Sequence, residues 1–300
     1  MPQALSKIGR CVLDHLVEKR MKSIESKACV LLPVLLLSTS AFAEGSPWLP
    51  VPQTLSLSVA HVSQEADQFY RGETLANLPF GEFNQTTIWF MGKYGLNDKT
   101  AIDARWGTSE VDAGALGSTD GAFDATIGVT RSLLDEIETG GVSVAVRVAG
   151  TLAGDYETGR PNSLGDGANS IESSISVGKF LRPEFGVAGE FGLRFSTNDV
   201  PSEWFLNAGV NYFLSPHVSL YGQYQLKRSN GDLDIGGTGF TPAGFPEVQE
   251  NLSRIRVGAS LQYENFSWDI NIYKTQDGRN TADFDIVSNT FTLYFDLFRP

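Results

Sequence analysis

Fourteen charged side chains sit on strand-like stretches of this chain, on the face opposite the apolar one. Lys93, Arg105, Arg147, Arg194, Lys227, Arg254 and Arg256 supply the cations; Asp103, Asp124, Glu172, Glu190, Glu203, Asp269 and Asp296 supply the anions. A near-balanced set on one face can line a polar passage whose field orients dipolar or anionic solutes. The same residues can instead pair with one another and fill the space they enclose. Arg254 and Arg256, two apart on one face, form a local positive stripe and are the first candidates for an anion-attracting constriction.

A second chemistry is legible at His61-Val62-Ser63. An imidazole one strand repeat from a hydroxyl can activate it as a nucleophile, and Asn289, on the same face of another segment, could orient the ring. The arrangement is similar to the His-x-Ser pair of outer-membrane phospholipases and lipid A deacylases, although their motif continues with Asn where Gln64 stands here. No oxyanion partner is evident. Asp232-x-Asp234 and Asp283-x-Asp285 offer oxygen ligands of the kind hard cations use, without an EF-hand pattern; solvated acidic pairs explain them equally. The glycine-rich run from Gly236 to Pro246 lacks the Lys-Ser/Thr ending of a phosphate loop. Its Phe240 and Phe245 suit a loop folded over a mouth and narrowing it, or packed against other loops. No metal site and no cofactor are implied.

These residues are carried by segments that alternate polar and apolar, the period-two signature of strands. Twelve strands are expected, near 54–66, 84–96, 100–112, 122–134, 141–154, 170–181, 184–196, 202–214, 217–229, 251–264, 267–277 and 286–298. Short turns, such as Asn97-Asp98-Lys99 and Ser215-Pro216, alternate with long Gly, Asp and Pro-rich links, of which 230–250 is the longest. The last strand shows the pattern best. Val287, Phe291, Leu293, Phe295 and Leu297 share one face, and Ser288, Thr290, Thr292, Tyr294 and Asp296 share the other. It resembles the closing strand of Gram-negative outer-membrane β-barrels, and the chain as a whole resembles the porin and small-barrel transporter class. Phe298 falls in the polar series and is followed by Arg299 and Pro300, which shifts the aromatic ending from the usual place. The resemblance implies a closed, antiparallel, up-and-down transmembrane β-barrel of about twelve strands in the outer membrane, with both termini periplasmic. It also implies outer-membrane lipids, lipopolysaccharide, the barrel assembly machinery and small solutes as partners.

The start of the chain reads differently. Lys22 and Lys27 precede the apolar run Ala28 to Leu37, and Ala41-Phe42-Ala43 supplies the small residues a signal peptidase reads. Residues 1–43 are therefore an upstream extension plus a secretory signal cleaved after Ala43, with Met21 as the expected true start, and 44–300 form the barrel. Cys11 and Cys29 leave with the signal, so neither a disulfide framework nor a cysteine nucleophile is expected. A net charge of −12 speaks against nucleic acid as a partner. An energy-coupled receptor, which needs a plug domain before Thr54, and an autotransporter, which needs a passenger, are not expected. The combined expectation is a passive channel for small hydrophilic solutes through a narrow, charge-lined lumen. The alternatives are a lipid hydrolase using His61 and Ser63, and a non-conducting structural or adhesion barrel.

Overall fold

The computed structural model describes residues 45–297; Met21, both cysteines, the cleavage position Ala43 and the C-terminal Phe298 lie outside the described residues. Strand formation follows the alternation. Each segment places β-branched or aromatic residues on one face and Ser, Thr, Asn, Gln or charge on the other, a pattern that a helix would scatter around its axis. In chain order the strands are β1 (Thr54–Ala66), β2 (Gln68–Arg71), β3 (Thr74–Asn77), β4 (Phe83–Asn97) and β5 (Thr100–Asp112). Next come β6 (Ser118–Ala122), β7 (Ala125–Leu134), β8 (Ser143–Leu152), β9 (Ser170–Arg182) and β10 (Phe185–Ser196). The set ends with β11 (Glu203–Ser215), β12 (Val218–Ser229), β13 (Asn251–Tyr263), β14 (Phe266–Arg279) and β15 (Asp285–Asp296).

All but β2 and β3 join one antiparallel sheet that closes on itself. β1 pairs with β15 from Thr54↔Asp296 to Glu65↔Asp285 and, on its other side, with β4 from Leu55↔Tyr94 to Ala66↔Phe83. Closure removes the sheet edge, whose unpaired N–H and C=O groups could not be hydrogen-bonded in hydrocarbon. The result is a barrel of twelve staves, counting β6 and β7 together as one.

That stave departs from the continuous strand expected over 122–134. β6 pairs with the loop-end half of β5, from Thr108↔Ala122 to Asp112↔Ser118, and β7 with the other half, from Thr100↔Arg131 to Arg105↔Thr126. Phe123 and Asp124 form the break between them, tied by a 2.9 Å bond from Phe123 N to the Gly107 carbonyl. Gly107 is needed here: a Cβ would fall 2.9 Å from the Trp89 ring. The link 67–83 also holds structure of its own, the β2–β3 hairpin. The turn after β7 is a single helical turn, Glu136–Thr139, capped by the Asp135 carboxylate and ended by Gly140 at φ 68.

The barrel is inside-out relative to a soluble fold. Ser219, Ser267 and Asn211 are fully buried, whereas Val148 (57% exposed), Ile272 (55%) and Phe291 (49%) face outward. The exposed apolar residues recur on every stave except the broken one's β6 half, far more apolar surface than a soluble monomer presents. Lipid on the outside and water within accounts for this distribution. Among the described residues no helix is long and apolar enough to cross a membrane.

Candidate functional site

The inward face carries a chain of ion pairs along more than half the circumference. Arg147 on β8 reaches Asp103 on β5 at 2.7 Å and Glu172 on β9 at 3.0 Å. Glu172 also holds Arg194 of β10 at 2.7 Å, and Arg194 holds Glu203 of β11 at 2.7 Å. Lys227 on β12 lies 3.6 Å from Glu203 and 2.7 Å from Glu250, the residue before β13. Signs alternate along the seven groups, and the bidentate Arg–carboxylate contacts are the strong, geometrically specific kind. Register explains part of the ladder, since Arg194 lies directly opposite both Glu172 and Glu203. Arg147 and Asp103 are not on neighbouring staves. The guanidinium crosses β7 at Gly128, where a Cβ would fall 2.6 Å from Nη2.

The wall formed by β12, β13 and β14 is built differently. The Arg256 guanidinium lies over the rings of Tyr221 (4.9 Å) and Tyr273 (5.3 Å), and that of Arg254 lies 5.2 Å from Tyr273. Arg256 Nε donates to Asn271 at 2.7 Å, Tyr221 donates its hydroxyl to the same oxygen, and Arg254 donates to Gln225. Among the described residues neither arginine has a carboxylate within ion-pair reach. Aromatic faces and neutral amides hold these cations in place of acids.

Two chambers follow from this lining. The inner one, of about 410 Å³, is bounded by Lys93, Arg105, Arg147, Arg254 and Arg256 and by only three acids, Asp103, Glu190 and Asp269, with Ser and Thr of β1 and β15 between them. The outer one, of about 730 Å³, opens toward the long loops and is largely apolar, with Phe69, Leu78, Phe80, Phe83, Phe245 and Phe284 in its walls. Arg194, Glu203, Lys227 and Glu250 form its polar side. Trp89, Arg105 and Phe123 border both chambers and so form the neck between them. Trp89 and Phe123 meet edge to face at 5.0 Å, and Arg105 sits 5.4 Å over the Trp89 ring. Phe123 reaches the neck because the broken stave turns there; Tyr156, stacked on it at 6.4 Å, donates to Asp124 at 2.7 Å. Asp166 is exposed to the outer chamber's water, but the surrounding chamber walls crowd it and push its carboxyl up to about 6, with Glu250 adding in the same direction and Lys227 opposing.

At the short-turn end, residues 45–53 lie within the barrel. Trp48 is buried against Phe180 at 4.8 Å and donates its indole N–H to Glu136 at 2.8 Å. Gln53 N donates to the Gly95 carbonyl at 2.6 Å. A Cβ at Gly178 would fall 2.7 Å from Pro47, and one at Gly45 would fall 1.8 Å from the Glu190 carboxyl. Such contacts narrow this end. At the other end, Asn280 (φ 50) ties three loops together, accepting from Gly72 N and Ile235 N and donating to Asp234.

The sequence candidates distribute as follows. Lys93, Asp103, Arg105, Arg147, Glu190, Arg254, Arg256 and Asp269 line the inner chamber, and Arg194, Glu203 and Lys227 the outer. Glu172 is buried within the ladder. Phe245 lines the outer chamber, and Phe240 packs against it edge to face at 5.2 Å. The acidic pairs are engaged with cations: Asp234 with Arg279 at 2.7 Å, Asp283 and Asp285 with Lys274 at 3.7 and 2.9 Å. His61 and Asn289 are cross-strand partners on the outer face, and no hydrogen bond joins either to Ser63 among the described residues. Trp89, Phe123, Tyr221, Tyr273 and Glu250 are added by the structure. For Trp89, Tyr221 and Tyr273 the available signal is an aromatic sharing parity with polar residues.

Residues 64–291 match the family described as "Putative MetA-pathway of phenol degradation". No curated protein matches the chain. Among solved structures, an outer-membrane channel from Pseudomonas putida F1 aligns with a TM-score of 0.65 at 16% identity, over 82% of this chain and 97% of that one. That likeness concerns the fold, an outer-membrane barrel. The KdgM porin in complex with disordered oligogalacturonate aligns at 0.47 with 8% identity, over 80% and 99% of the two chains. The CymD monoaromatic hydrocarbon channel aligns at 0.45 with 10% identity, over 82% and 89%.

Proposed function

This chain belongs to the family described as "Putative MetA-pathway of phenol degradation", and from that premise we propose a passive outer-membrane channel for small solutes that join an apolar, aromatic body to a polar group. The observation that carries the reading is the two-part lumen: an apolar chamber at the loop end meets a polar, charged chamber through a neck made of Trp89, Phe123 and Arg105. A purely hydrophilic solute uses only the inner chamber. A phenol has a part for each, because burial of its ring is favourable in the outer chamber and its hydroxyl finds donors and acceptors in the inner one. Segment 45–53 narrows the exit, so flux is small and selective rather than porin-like.

Export by the signal ending at Ala43, insertion by the barrel assembly machinery and contact with lipopolysaccharide complete this reading. His61 is assigned no hydrolysis, since it faces lipid without a bond to Ser63. The test is single-channel recording in planar bilayers together with liposome swelling in arbutin, a phenol glucoside that bilayers exclude, and in sugars of similar size. Discrete conductance and faster swelling in arbutin than in the sugars are expected. A barrel that folds, judged by heat-modifiable migration, yet neither conducts nor admits arbutin would refute the channel.

A further inference from the structure

We propose that the lumen binds small aromatic carboxylates, with Arg254 and Arg256 holding the carboxylate and the Trp89–Phe123 neck selecting the ring. The inference rests on the channel reading above and names its preferred solute.

The inner chamber is bounded by five cations and three acids, or five against four once Glu172 behind Arg147 is counted, inside a chain whose net charge is −12. Some of those cations are committed elsewhere: Arg147 is held by two carboxylates. Arg254 and Arg256 make no direct ion pair among the described residues: tyrosine rings and amides hold them, and Glu250 and Asp269 act on them only from beyond contact. A guanidinium stacked on a ring presents its N–H edge, and that edge is the part that matches a carboxylate. The ladder on the facing wall is already paired and competes weakly for either partner.

An anion reaching the arginines from the loop end must pass Trp89 and Phe123, which already pair edge to face at 5.0 Å. Aromatic pairs in edge-to-face or offset contact are worth more than their buried area alone, a gain that a saturated ring of the same size does not make. A neutral phenol gains the ring contact without the charge; an aliphatic acid gains the charge without the ring contact. An aromatic acid such as benzoate gains both.

The experiment is calorimetric titration of the folded, detergent-purified protein with benzoate, cyclohexanecarboxylate, phenol and acetate at neutral pH, run beside bilayer conductance in KCl. Saturable benzoate binding is expected, about tenfold tighter than that of the saturated acid or of phenol. The double variant Arg254→Gln, Arg256→Gln should weaken benzoate by about tenfold or more. Trp89→Leu should bring benzoate and cyclohexanecarboxylate together while both still bind. If the double variant does not fold, Arg254→Gln alone stands in, since Arg254 is the less buried of the two, and a measurable weakening is still required. Absence of saturable benzoate binding, or equal benzoate affinity in wild type and the arginine variants, overturns the proposal. Conductance without benzoate binding leaves the channel standing and removes this site; benzoate binding without conductance removes the channel reading instead.

Discussion

The two walls of this lumen contain similar residues and use them in opposite ways. From Asp103 to Glu250 seven charges alternate in sign and pair in turn, and this hydrogen-bonded ladder braces seven of the twelve staves or their ends. Across the barrel, Arg254 and Arg256 lie on Tyr221 and Tyr273 and keep their charge uncompensated by acids at contact distance. Near balance in the count of charges therefore does not mean a neutral interior. Where pairing is complete the charges serve the wall; where it is withheld they serve whatever enters.

The comparison breaks most visibly at Glu172, which alone joins Arg147 to Arg194. Glu172→Ala leaves two enclosed guanidinium groups short of a partner, and removing one member of a buried ion pair costs about 3–5 kcal/mol. Urea unfolding in micelles should show a loss of that size, whereas Arg254→Gln, which separates no ion pair, should cost well under half as much. Equal losses would mean that the walls do not differ as described. A subtler break uses Gly128. A valine there meets the Arg147 guanidinium and must push it away from Asp103, a clash expected to cost about 1–3 kcal/mol. The same valine at Gly150, where nothing lies within 4 Å of a Cβ, should be nearly silent in the same assay.

The barrel was legible because each strand face records its own solvent, lipid or lumen, at every second residue. That is a local signal, and even its closure was foreseeable, since hydrocarbon tolerates no edge. The ladder was legible only as a set. Parity put Asp103 and Arg147 in the lumen, but their meeting depends on a stave between them that is bare at Gly128. Trp89 alternates with the apolar Ile88 and Phe90 and so has lumen parity, yet parity alone does not mark an aromatic among polar positions as a neck. The break at Phe123–Asp124 is set by the bond that Phe123 N donates to the Gly107 carbonyl and the one that Asp124 accepts from Tyr156, both partners distant in sequence. Segment 45–53 carries no period at all, so nothing in it announced that it lies inside the barrel.

Smaller effects sharpen the comparison in conduction. Replacing both Arg254 and Arg256 with Gln should move the reversal potential in a KCl gradient toward potassium, by a few-fold in permeability ratio, because about two uncompensated cations leave the inner chamber. Replacing Arg160, whose partner Glu157 is exposed with it, should leave that ratio within error, since exposed pairs in water act weakly. A ratio that moves equally for both would place the selecting charges at the mouth.

The smallest expected effect belongs to the paired wall's own rim. Asp166 faces the outer chamber near Glu250 and Glu203, and its carboxyl is raised to about 6. A raised carboxyl is mostly ionised at pH 7.5 and becomes mostly neutral as pH falls to 5, so the rim loses close to one negative charge across that window. Potassium preference should therefore decline slightly between pH 7.5 and 5 and stay flat in Asp166→Asn. The arginines opposite do not titrate in that range, so the decline should persist in the Arg254→Gln, Arg256→Gln background with the same midpoint. A midpoint that moved with the arginines would mean that the two walls share one field, and the division between a paired and an unpaired side would have to be given up.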